Sequence, residues 1–352
     1  MSLPALMLAS SLALLPRAPG GGDDKQVAAD RLLTPRVERM VDKAHAWLID
    51  HQNADGSFSI VRNDASTSAP VAVTSLAIMS LMASGHLPDR GSHRQAVQRA
   101  VDWLVAHCGE DGYFTTDGDK SEMHGQGYAV LALTQAYGMD AGDRGKRDML
   151  RAAIERGVAL IEASQGETNG WWYEPRRVAE HEGSITVCMI QALRAARDIG
   201  FAVNKGVIDR ALGYVERSQD KDGRFRYALN DTKTSWALTA AALATLNGLG
   251  QYSGEALDLG FEALQRSDPF TGTSSWNEAF VDYGALYAAQ AYWQNRDQKA
   301  FERWWPAFVV SCEERQRDDG HFDGGEHGSV FGTAIVSLTL QVPLGYLPIL
   351  QR

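Results

Sequence analysis

Five short polar stretches carry residue types that do chemistry. Glu122 stands two residues before His124, Glu180 and Glu182 flank His181, and Glu326 precedes His327; Asp231 and Asp282 have no histidine beside them. Carboxylates and imidazoles transfer protons near neutral pH, and the same groups ligate zinc. The candidate proton-transfer residues are Asp231, His124 and Glu182. The candidate metal ligands are Asp282 and His327, a pair that is incomplete for a cation that takes four N, S or O ligands. Each stretch also lies just ahead of an apolar, helix-period run. Free N–H groups and the positive dipole end at a helix start favour acidic caps, so the same residues have a structural role open to them.

The elements that position these stretches come from a repeat. Gln219, Asp222, Gly223 and Phe225 form a pattern of Gln, two residues, Asp, Gly, one residue and an aromatic. It recurs as Gln52, Asp55, Gly56 and Phe58, and as Gln316, Asp319, Gly320 and Phe322. A fourth copy has Asp111, Gly112 and Phe114, with Cys108 in the glutamine place. Looser copies pair Gln165 with Gly170 and Trp172, and Gln265 with Gly272 and Trp276. The spacing of about 50 to 60 residues marks a repeat architecture. Asp-Gly ends a helix, because glycine accepts positive φ and aspartate bonds its own backbone. A glutamine amide, donor and acceptor at once, ties loose backbone groups at helix ends.

A helical run precedes each glutamine and another follows each turn. The pairs are 36–51 with 71–84, 95–107 with 124–137, 149–163 with 184–199, 207–218 with 232–249, 255–265 with 282–295, and 300–314 with 328–341. The first helix of each pair is amphipathic, as Arg151, Glu155, Arg156 and Glu162 illustrate. The second is poor in charge and rich in small residues, as in 236–243. Helices that are apolar all round are buried. Six hairpins with the charged helix outside and the small-residue helix inside close into a double ring, an (α/α)6 toroid. In such a ring repeats three and six are opposed, which keeps His181 and His327 apart.

The chain has 352 residues, 44% hydrophobic and 22% charged, with a net charge of −10. This is a globular composition without the basic patch of a nucleic-acid binder. Cys108, Cys188 and Cys312 fit no metal or disulfide spacing. The apolar run over 1–15 is too short to span a bilayer and resembles a signal core. It predicts a signal peptide or apolar leader over 1–19, a linker over 20–35, and export to the periplasm or medium, with the cytoplasm as the alternative.

The repeat resembles the prenyltransferase and squalene-oxidase family, whose relatives include triterpene cyclases, protein prenyltransferase β-subunits and the complement thioester domain. The stretches 124–133 and 332–343, and the ending 346–352, are similar to a bacterial, usually exported branch without an assigned reaction. The resemblance implies the toroid over 36–352. Family chemistries are matched only in part. Triterpene cyclases protonate an alkene with Asp-x-Asp-Asp-Thr; in 228–232 Asp231 and Thr232 match, but Ala228 and Asn230 replace the two earlier acids. Protein prenyltransferases hold zinc with Asp-x-Cys and a later His; Asp282 and His327 match, but Gly284 replaces the cysteine. The Gly-Cys-Gly-Glu-Gln run of the thioester relatives does not occur.

The expectation is an exported scaffold whose central cavity binds an apolar small molecule, a peptide or a partner protein. No cofactor is expected, zinc being the one metal the residues suggest, and neither a nucleic-acid partner nor a transmembrane helix. The alternative is a terpenoid- or lipid-directed enzyme using non-standard acids in the cavity.

Overall fold

A computed structural model describes residues 32–59, 68–139, 143–271, 280–295 and 298–350. Its described residues form twelve helices and no sheet. The outer helices are α1 (Pro35–Asp50), α3 (Arg94–Ala106), α5 (Arg144–Ser164), α7 (Lys205–Ser218), α9 (Glu255–Arg266) and α11 (Gln298–Arg315). The inner helices are α2 (Pro70–Ala83), α4 (Glu122–Met139), α6 (Gly183–Asp198), α8 (Trp236–Gly248), α10 (Val281–Gln294) and α12 (Gly328–Thr339). Each inner helix packs on the next, and α12 packs back on α2, so the inner ring is closed. The architecture is the expected α/α toroid. The proposed leader over 1–19 lies outside the described residues, and no described helix is long and apolar enough to cross a membrane.

Residue type decides the layer. Every residue of α2 is buried, and in α8 all but Gly248. The α1 helix instead buries one stripe, including Val37, Val41, Ala44 and Leu48, at helical spacing. It starts where Thr34 accepts a bond from the Val37 N–H, with proline in the first turn.

The repeated residues fasten neighbouring hairpins. Gln52 Nε2 donates to Gly56 O and Ala96 O, both at 2.9 Å. Gln165, Gln219 and Gln316 make the same double contact, each to its own turn and to the next outer helix. The last of these, Gln316 Nε2 to Met40 O at 2.8 Å, joins repeat six to repeat one. The aromatic N–H then donates to an inner-helix threonine, as Phe225 does to Thr239 at 3.2 Å and Phe322 to Thr333 at 3.0 Å.

Several copies depart from their expected register. In repeat three the left-handed position is Asn169, φ 73°, rather than Gly170, and the buried aromatic is Trp171 rather than Trp172. In repeat four the turn is capped by Asp220, which leaves Asp222 exposed. In repeat five Asp268, with Pro269 in the glycine place, caps Phe270 and Thr271, and burial pushes its carboxyl up to about 6. The expected Gly272 and Trp276 lie outside the described residues. In repeat two the Cys108 thiol reaches Ala153 O only at 3.8 Å. Gln126 on the inner helix covers the deficit: its Oε1 accepts from Phe114 N–H and its Nε2 reaches Gly112 O and Gly157 O.

Near the C-terminal ends of α2 and α12 the closing seam is polar. His45 Nε2 meets Ser80 Oγ at 3.0 Å, Ser80 meets Ser337 at 2.6 Å, and Gln341 Nε2 donates to Ser80 O at 3.0 Å. After α12 the chain runs across this end of the inner ring. Residues Val342–Leu344 pack on α10, residues Pro348–Leu350 pack on α4 and α6, and Ile349 N–H donates to Gln135 Oε1.

Two measurements test the seam. Gly320 has φ +99°, and a Cβ there would meet Lys43 O of α1 at 2.5 Å; Gly250 has φ +92° and open space. Gly250→Ala should cost about 1–2 kcal/mol of backbone strain, and Gly320→Ala about 2 kcal/mol more by collision, both read by chemical denaturation. His45 is held at a pKa of about 3 by burial, then by repulsion from His86 and His93. Because its folded pKa lies below the unfolded 6.5, the unfolded chain binds the extra proton, and stability falls as pH drops below 6.5. The loss from this residue by pH 5 is about 2 kcal/mol, and His45→Gln should flatten the denaturation midpoint over that window.

Candidate functional site

All six inner helices start at one end of the ring, because every repeat runs outer helix, turn, inner helix. At that end a cavity of about 190 Å³ opens between α2, α4, α10 and α12. Its α2 wall is Ala69, Ala72 and Val73; α4 supplies Ser121, His124 and Tyr128; α10 supplies Phe280 and Tyr283; α12 supplies Phe331, with His327 before it. Lys120 stands among the lining residues. Tyr128 and Tyr283 lie near the buried Tyr287, so these two mark the inner end. Phe280 holds a left-handed conformation, φ 64°, at the start of α10 and stacks on His327 with ring centroids 5.7 Å apart.

His124 and Glu182 come together through Ser184. His124 Nε2 is 3.0 Å from Ser184 Oγ, and Ser184 Oγ donates to Glu182 Oε2 at 2.6 Å. Glu182 also caps α6, accepting from Ile185 N–H at 2.8 Å. Its other oxygen is buried without a partner. Burial pushes the Glu182 carboxyl up, against the lowering effect of the Ser184 and Ile185 bonds. Removal from water pushes His124 down to about 4, with a further contribution from His327. At neutral pH His124 is therefore an uncharged imidazole on a cavity wall, backed by a hydroxyl and a carboxyl.

The other predicted residues lie elsewhere. The α8 helix begins at Trp236, capped by Ser235, and not at Thr232. A bridge between Arg226 and Thr234 carries the preceding hairpin past the expected start. Asp231 sits in its tip, accepting from Thr232 N–H at 2.6 Å and Lys233 N–H at 3.0 Å, which hold its carboxyl low. It does not line the cavity. Asp282 pairs with Arg315 Nη1 at 2.8 Å, tying α10 to the end of α11, and it too stands off the cavity. Gly284 is packed so tightly on Trp236, 2.5 Å from an added Cβ, that a cysteine cannot sit there. Among the described residues no group of three His, Cys, Asp or Glu can hold a metal ion. Glu122 is exposed, and His181 accepts from Leu229 N–H at 3.1 Å, holding the hairpin tip.

Ser184, Tyr128, Tyr283, Phe280 and Phe331 were not singled out by sequence. Ser184 had a local signal, two residues past Glu182 at the helix start. Tyr128 had another, one helical turn beyond His124.

No family model matches the chain. Over 196 residues it is 33% identical to a drimenyl diphosphate synthase of Streptomyces showdoensis, a match covering 56% of this chain and 34% of that enzyme. The chain thus spans about a third of the length of the curated relative it matches. The type II terpene cyclase MstE from Scytonema superposes with a TM-score of 0.61 at 15% identity, over 89% of this chain and 100% of that one. An α-1,6-mannanase of Salegentibacter sp. HEL1_6 superposes with a TM-score of 0.64 at 9% identity, over 88% and 99%. These likenesses establish the α/α toroid fold, one that terpene cyclases share. One fold carrying terpene and glycan chemistry leaves activity to the site.

The electrostatics of the site have a direct check. The His124 ring should titrate near pH 4 by NMR, and His327→Gln should move that value up by removing the neighbouring charge. A His124 titration at the ordinary histidine value of about 6.5 would contradict its burial.

Proposed function

We propose that this chain acts on an isoprenoid or related lipid, with His124, Ser184 and Glu182 transferring the proton. The observation that carries this is the hydrogen-bonded array from Glu182 through Ser184 to His124, which opens on an aromatic-walled apolar cavity. The likeness to a drimenyl diphosphate synthase, and to a cyclase solved with geranylgeranyl dihydroxybenzoate, supports a lipid-directed enzyme over a passive scaffold. Export and a protein partner have no comparable support.

With Ser184 donating to Glu182, His124 Nε2–H donates to Ser184 Oγ, and Nδ1 keeps the lone pair. Proton uptake at Nδ1 gives an imidazolium whose pKa of about 4 makes it as strong an acid as a free carboxyl. That acidity suits proton delivery to a weakly basic carbon or oxygen, and the neutral ring then serves as the base that ends the reaction. The faces of Tyr128, Tyr283, Phe280 and Phe331 stabilise positive charge that develops on the chain. Asp282 stays outside this scheme as the partner of Arg315.

The test is incubation of the purified protein with C15 and C20 prenyl diphosphates and with squalene, followed by gas chromatography and mass spectrometry. Cyclised or isomerised product is expected, formed faster at pH 5 than at pH 7. His124→Gln and Glu182→Gln should each lower the rate about 100-fold, whereas Asp231→Asn should leave it within about twofold. A wild-type protein that leaves all these compounds unchanged returns the toroid to the binding-scaffold reading.

A further inference from the structure

The phenol oxygen of Tyr283 is buried and has no hydrogen-bond partner. Its ring lies against Tyr287, centroids 4.7 Å apart, without a hydrogen bond of proper geometry between the two phenols. A buried phenol without an acceptor is uncommon, since such groups nearly always find one. The cavity lining it shares with Val73, Phe280 and Phe331 is mainly apolar.

From this we infer that Tyr283 is a specificity residue, and that the ligand is an oxygenated isoprenoid whose hydroxyl, ether or carbonyl oxygen enters first and accepts the Tyr283 Oη–H bond. The inference rests on the isoprenoid reading above and narrows it. An oxygen lone pair takes a proton far more readily than an alkene does, which matches a site whose acid is no stronger than a free carboxyl. A pure hydrocarbon would leave the phenol unmatched, and a site built around a hydrogen bond discriminates strongly against the analogue that lacks it.

The experiment compares two soluble probes of one carbon skeleton, geraniol and 2,6-dimethylocta-2,6-diene, by NMR-detected titration of the full chain. Wild type should bind the alcohol about tenfold tighter. Tyr283→Phe should abolish that preference without changing hydrocarbon affinity, and it should melt no lower than wild type because it removes an unmatched group. Equal binding of both probes by wild type overturns this inference alone. So does a preference that survives in Tyr283→Phe. Binding of neither probe by wild type overturns the isoprenoid reading and this inference with it.

Discussion

A single glutamine side chain, used over and over, governs this molecule. Its amide nitrogen bonds one carbonyl in its own turn and one on the next outer helix. Because one of those carbonyls belongs to the neighbour, each contact sets the angle between hairpins as well as closing a loop. The ring closes where the last of these contacts returns to the first hairpin, Gln316 taking Met40 O. A neutral hydrogen bond contributes only about 1 kcal/mol net, so the glutamines do not supply the stability. Burial of the inner helices does that, and the glutamines select which way the buried helices face. Repeat two shows that the geometry is what must be kept. With cysteine in the usual place, Gln126 approaches from the inner helix and binds the same turn carbonyl.

The cavity follows from that ring. Parallel inner helices of small residues leave a central space, and their starts share one end. The opposite end is crossed by the segment from Val342 to Leu350, packed on α10, α4 and α6. The polar groups at the helix starts divide between two roles. Asp231 and Asp282 are consumed by a turn and an ion pair. His124 faces the pocket with Glu182 behind it, linked by Ser184.

The ring was legible in the sequence because its signals are local: a turn chemistry, a helix period and a contrast in charge between paired helices. The site was legible only in part. His124 and Glu182 could be picked as ionisable residues at helix starts, but their partnership depends on Ser184 bridging two repeats. The rotation of an inner helix is also unreadable when it is apolar all round, as α2 and α4 are, since no polar stripe marks the outward face. Nothing in the sequence therefore marked Tyr128 and Tyr283 as cavity lining. The same reasoning explains Asp231. A helix start was inferred at Thr232 from composition, whereas backbone pairing of Arg226 with Thr234 and the Ser235 cap delay it to Trp236.

A complete cyclase acid motif would gain nothing at its expected place. Asp231 stands at a hairpin tip with Asn230 beside it, and none of 228–231 lines the pocket. What the pocket holds instead is an imidazole pressed toward carboxyl-like acidity by dehydration and a neighbouring histidine. Dehydration acts oppositely on the two groups of the array: it weakens the carboxyl as an acid and strengthens the imidazolium. The carboxyl, raised above its usual 4.5, then holds its proton more firmly than the imidazolium at about 4, so the imidazolium is the stronger acid of the array. An aspartate in the same dry wall would be a weaker acid than it is in water, unless donors surrounded it. In this pocket the histidine is the residue type whose acidity burial increases.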